Sequence, residues 1–105
     1  MRMIYEVRWT HSSREDLVDI HDYYATEVDS RLADQILLRI DDEVNFLQVF
    51  AMRTRLGRLA GTRELVLTTV PYIACVVVEE QIVHVIGIVH SSQKYPTKSL
   101  RARLH

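Results

Sequence analysis

The sequence predicts an α+β domain of order β-α-α-β-β-β, with a helical hairpin packed on one face of a small, mainly antiparallel sheet. Three observations carry this reading. A short segment of alternating apolar residues opens the chain, two segments with helical periodicity follow, and three runs rich in β-branched residues complete it. The 105 residues are read as a single domain, 1–105, with 98–105 a basic and loosely held tail.

Met3, Tyr5, Val7 and Trp9 alternate with Ile4, Glu6 and Arg8, the period of a strand. Ser12 with Glu15, or Ser13 with Asp16, has the spacing of a capping box and marks a helix start. Leu17, Ile20 and Tyr24 then line one helical face. Asp29 or Ser30 caps a second helix, whose stripe runs through Ala33, Ile36, Leu37, Ile40, Val44 and Leu47. The connection is short, so the helices form an antiparallel hairpin.

From Phe50 to Gly61 periodicity disappears, and the segment reads as a loop. Thr62 to Leu67 is a strand ended by Val70-Pro71, because proline cannot donate to a ladder. Tyr72 to Val78 is wholly apolar, and Gln81 to Val89 is apolar except at His84, with Glu79-Glu80-Gln81 as the turn between. Such runs are central strands covered on both faces.

Composition narrows the function. Three Gly, one Cys and no run of 18 apolar residues exclude a dinucleotide fold, a disulfide scaffold and a membrane span. Cys75 lies in an apolar run and reads as a small buried hydrophobe in a reducing, cytoplasmic protein. The net charge of −1 hides an asymmetry: residues 1–50 carry 5 Lys/Arg against 11 Asp/Glu, and residues 51–105 carry 8 against 3. A polarised field of this kind steers one face toward an anionic partner, unless it is only a solvated surface.

Candidate chemistry is sparse. His84 and His90 share strand parity but stand about 20 Å apart, too far to hold one metal. No pair of histidines has zinc-hydrolase spacing, and no metal or cofactor is expected. His90 ends the last strand, where scaffolds present functional side chains. Ser91 and Ser92 follow it, but no glycine-flanked elbow surrounds them. The strongest feature is a cluster of basic residues, Arg53, Arg55, Arg58 and Arg63 with Lys94, suited to phosphates or carboxylates. Arg63 leads, because a strand fixes its direction.

Several segments resemble the RelE/ParE superfamily of bacterial toxins. They are Val7-Arg8-Trp9, the helix opening Arg14-Glu15-Asp16-Leu17-Val18-Asp19-Ile20, Gly61-Thr62-Arg63-Glu64-Leu65-Val66-Leu67, Val70-Pro71-Tyr72, and His90-Ser91-Ser92-Gln93-Lys94-Tyr95-Pro96. Tyr23-Tyr24 falls where the family often has an aromatic. The resemblance implies the toxin of a type II toxin–antitoxin module, neutralised by a cognate antitoxin. It implies one of two targets: DNA gyrase for ParE-like members, or the ribosome and its mRNA for RelE-like nucleases. In the RelE-like case Arg63, His90 and Tyr95 would be catalytic. In either case Arg53, Arg55, Arg58, Arg63 and Lys94 would bind target or nucleic acid. Leu65 and Ile73 stand where a RelE-like nuclease has basic residues, and Ser91, Ser92 and Gln93 occupy a segment that is strongly basic in RelE. The ending looks more like ParE-type toxins, so the resemblance favours gyrase inhibition, with ribosome-dependent mRNA cleavage as the alternative.

Overall fold

The computed structural model describes residues 4–93 and 97–104. It has the expected α+β class: a strand, a helical hairpin, and then the rest of a five-stranded sheet. The strands are β1 (Glu6–Trp9), β2 (Arg55–Leu56), β3 (Arg63–Val66), β4 (Tyr72–Glu79) and β5 (Ile82–His90), arranged β1-β5-β4-β3-β2. Among the described residues only the β1–β5 pair is parallel. The two apolar runs, β4 and β5, sit in the middle as their composition demands.

Helix α1 (His11–Glu27) begins slightly before the expected serines. Its cap is Thr10, whose Oγ1 accepts from the Ser13 N–H at 3.1 Å. The reason is tertiary: the Thr10 N–H and hydroxyl both donate to the Val85 carbonyl, at 3.1 and 3.0 Å, as β1 ends. Helix α2 (Ser30–Asn45) is capped by Asp29, which accepts from the Leu32 N–H at 2.8 Å. His21 and Asp34 join the two helices at 2.8 Å.

The segment expected to be one loop is partly ordered. It holds the end of a short helix α3 (Leu47–Phe50), a 3-10 turn at Ala51–Arg53, and β2. A two-residue strand is too short to show a period. It forms because the Gly57 N–H closes a hairpin on the Thr62 carbonyl at 2.8 Å.

Both faces of the sheet are covered. Tyr72, Ala74, Val76, Val83, Val85 and Ile88 pack with Ile20, Ile40 and Val44 under the helices. Ile73, Cys75, Ile86 and Val89 pack on the other face with Leu59 and Leu100. Leu100 belongs to α4 (Lys98–Ala102), so the tail expected to be loose is docked, with Leu100 only 1% exposed. Arg103, just after α4, donates to Asp16 at 2.7 and 3.1 Å and to the Ile86 carbonyl at 3.0 Å. Gly87 permits this approach, since a Cβ there would stand 2.7 Å from Leu100 Cδ1.

The β4–β5 register passes from Cys75↔Gly87 to Val76↔Val85, leaving Ile86 as a bulge. The extra residue breaks the parity assumed for the two histidines. His84 pairs with Val77 on the face opposite the helices, whereas His90 pairs with Tyr72 on the helical face.

Candidate functional site

The arginine cluster does not form one patch. It divides between the two faces around β2 and β3. Glu64 pairs with Cys75 and therefore points away from the helices. Its side chain is 1% exposed, and Arg55 covers it through Nε and Nη2 at 3.0 and 2.9 Å from Oε1. The Arg58 N–H donates to Oε2 at 3.1 Å, and the Arg58 Nε lies 4.0 Å from the same oxygen. A buried carboxylate needs such company, because an unpaired charge there is strongly disfavoured. Arg55 and Arg58 thus have a structural duty as well as an exposed surface.

Arg63 pairs with Val76 and lies on the helical side. Its Nε donates to Thr54 Oγ1 and its Nη2 to the Thr54 carbonyl, each at 2.6 Å. The expected fixed direction is present, imposed by Thr54 as much as by the strand. Thr54 in turn donates to the Ala51 carbonyl at 3.0 Å, so Arg63 braces the turn that leads into β2. Arg53 stacks its guanidinium 4.6 Å from the centre of the Phe50 ring.

His90 closes β5 against Tyr72, ring centres 5.2 Å apart and edge to face. The Ser92 N–H donates to its Nδ1 at 3.1 Å, and Ser92 Oγ lies 2.7 Å from the same nitrogen. Nδ1 is thus taken up by Ser92, and Nε2 is the ring nitrogen left for another partner. Tyr72 is raised well above the ordinary phenol range by burial, reinforced by Tyr24, whose hydroxyl is 3.4 Å away. A phenol held protonated there is a structural group. Lys94 and Tyr95, both named as candidates, lie outside the described residues.

Arg63 and His90 stand on opposite sides of β4. Their partners on that strand, Val76 and Tyr72, are four residues apart. Strand spacing then puts their Cα atoms about 16 Å apart, and the Arg63 guanidinium is spent on Thr54 rather than on His90. Sequence reasoning missed three contributors: Glu64, Thr54 and the Asp16–Arg103 pair. For Glu64 a signal existed, since it is the only carboxylate between residues 51 and 78.

Residues 7–95 match the family model described as the ParE toxin of the type II toxin–antitoxin system parDE. The chain belongs to the ParE toxin family. A relative from Sinorhizobium fredii, named "Putative toxin Y4kP", is 31% identical over 90 residues, covering 86% of this chain and 92% of that protein. The structure described as the chromosomal ParDE TA system from P. aeruginosa superposes with a TM-score of 0.78 at 24% identity, covering 84% of this chain and 97% of that one. The toxin–antitoxin complex RelBE2 from Mycobacterium tuberculosis gives 0.56 at 17% identity, over 83% of this chain and 98% of that one. These two likenesses are of fold. No described helix of this ParE-family chain is long and apolar enough to cross a membrane.

Proposed function

We propose that this ParE-family toxin arrests growth by binding and inhibiting DNA gyrase, and that a cognate antitoxin neutralises it by covering its surface. The observation that carries the reading is the ParE family match across residues 7–95. The site geometry supports it. Metal-free RNA cleavage needs a base, a charge-stabilising cation and a leaving-group acid gathered around one phosphate. Here Arg63 is engaged with Thr54 on one side of β4, and His90 is capped by Ser92 on the other. Separated groups of this kind suit a docking surface better than a nuclease centre. On this reading Arg53, Arg55, Arg58 and Arg63 are target-binding residues, with Lys94 continuing the basic set.

The test is a gyrase supercoiling and cleavage assay with purified toxin, with and without antitoxin. Inhibition or stabilised double-strand breaks, relieved by antitoxin, is the expected result. Unaffected gyrase together with growth arrest and cleavage of ribosome-bound mRNA would overturn it, and Arg63, His90 and Tyr95 would become the catalytic candidates.

A further inference from the structure

Two exposed features of opposite charge stand on different parts of the fold. The first is the hairpin of β2 and β3 at the sheet edge. Leu56, 79% exposed, is the most solvent-exposed large apolar side chain among the described residues. Its neighbours Arg55 and Arg58 attend the buried Glu64, yet their side chains remain 55% and 50% exposed. Residues 53–64 carry four arginines against that one inward-turned carboxylate. The hairpin is thus an apolar prong with a basic collar.

The second is a groove of about 200 Å³ between α1 and α2, lined by Leu17, Val18, His21, Asp22 and Leu37. Val18 is exposed, and so is Leu38 beside Leu37. Over residues 11–45, eight carboxylates are exposed against three arginines, Arg14, Arg31 and Arg39. Asp19, Asp22 and Asp34 belong to that excess, and Asp34 stays open to solvent although His21 lies 2.8 Å from it. Single exposed apolar residues are ordinary, but an apolar slot within a field of one sign has a selective partner. A larger groove of about 470 Å³, between Phe46 and Phe50 on one side and Leu65 and Val66 on the other, selects no charge, because both Arg53 and Glu43 line it.

Prong and slot match in size, polarity and sign. The slot has room for one branched aliphatic side chain, and its carboxylates are the groups that guanidinium binds best. No residue of the hairpin lines the slot, so a single chain does not fill it from within. A second copy supplies what each feature lacks.

We propose that copies of this chain associate head to tail, the Leu56 prong of one seated in the α1–α2 groove of the next, with Arg55 and Arg58 facing Asp19, Asp22 and Asp34. The two surfaces differ, so the contact is heterologous, and each added copy leaves one prong and one groove open. One side chain and its collar make a small interface, and the association is weak, with a Kd of about 10 μM.

The experiment is sedimentation velocity of the purified, antitoxin-free toxin over a concentration series spanning that Kd, at low and at high salt. Wild type is compared with Leu56→Glu, Val18→Glu, an equal mixture of these two, and Phe46→Glu in the larger groove. All three side chains are exposed, and Arg55 and Arg58 are kept because both hold Glu64. Thermal melts check folding, and Leu56→Ser or Val18→Ser replaces a variant that fails. Wild-type mass should rise with concentration and fall back as salt rises. Each of Leu56→Glu and Val18→Glu should weaken association about 30-fold, with Phe46→Glu within about twofold of wild type. The mixture should form dimers that grow no further, because the Val18→Glu copy keeps a native prong and the Leu56→Glu copy a native groove. A wild type that stays monomeric, association that ignores salt, a mixture that stays apart, or a loss confined to Phe46→Glu would overturn the head-to-tail contact.

Discussion

Asp16→Ala tests what holds the C-terminal helix to the sheet. β1 ends at Trp9, so among the described residues β5 from Ile86 onward has no strand beside it on that edge. Asp16 and Arg103 occupy the gap. The carboxylate accepts the Ile88 N–H at 3.0 Å, and the guanidinium donates to the Ile86 carbonyl at 3.0 Å. The two side chains bind each other at 2.7 Å and are only 17% and 20% exposed. The hydrogen bond it donates to Asp16 also holds the Arg103 guanidinium above its ordinary pKa, against the opposing effect of burial. Alanine at position 16 leaves one backbone N–H and one largely buried cation without their acceptor. An orphaned N–H costs about 1–3 kcal/mol, and breaking a buried ion pair about 3–5. Because Arg103 retains the Ile86 carbonyl and some water, the two effects together amount to about 3 kcal/mol. For a chain of this length that is a fall in Tm of about 13 °C. Urea unfolding of Asp16→Ala, Arg103→Met and the double variant measures the coupling, expected at about 1.5–2 kcal/mol. A loss under about 1 kcal/mol in Asp16→Ala, or a coupling near zero, would refute the argument that this pair substitutes for a missing strand.

Glu43 accepts from the N–H and hydroxyl groups of Thr68 and Thr69, between 2.7 and 3.3 Å. Burial alone would raise its pKa, but these donors together hold it below 4.5. The stabilisation is therefore full above the unfolded-state value and lost as pH falls through the lower folded-state value. Glu43→Gln should cost about 1 kcal/mol at pH 7 and progressively less as the pH falls through the acid range; a loss by urea titration that does not shrink on acidification would contradict this. Gly87→Ala should force Leu100 and Arg103 to give way, cost about 1–2 kcal/mol and speed proteolysis within residues 97–104; unchanged cleavage would show that the contact relaxes freely. Arg63→Ala should keep the fold with a loss of about 1 kcal/mol and weaken growth arrest; full toxicity from folded variant would remove Arg63 from target binding. His90→Ala should reduce gyrase inhibition only modestly, whereas abolished RNA cleavage in a ribosome assay would make His90 a base.

The central elements were legible because their signals are local and long. Two strands of eight and nine residues and a stripe across four helical turns give strong periodicity. What the sequence concealed depends on contacts distant along the chain. The α1 cap is Thr10 because Val85 waits for its N–H, a partner 75 residues away. The tail is ordered because Leu100 meets the space over Gly87 and Arg103 meets Asp16, 87 residues away. Basic composition alone cannot distinguish a solvated tail from one in which one of two arginines finds a largely buried carboxylate. The histidine parity failed for a different reason. One bulged residue reverses every inside-outside assignment beyond it, and an unbroken apolar run gives no sign of where that residue falls.

The arginine cluster shows how residue type and placement divide the work of recognition. Its composition gives residues 51–78 an excess of positive charge, but folding assigns each member a different freedom. Arg63 is tied twice to Thr54, and Arg55 is committed to a carboxylate that cannot be left alone in the core. Replacing either one therefore mixes a binding effect with a folding effect. Arg53 rests on an aromatic face and lies on an exposed turn beside Met52 and the groove. A cation held this way is oriented without being neutralised, so its removal reads binding almost alone. The residue that best tests the surface is thus not the most rigid arginine, which the sequence favours, but the one whose charge the fold leaves unspent.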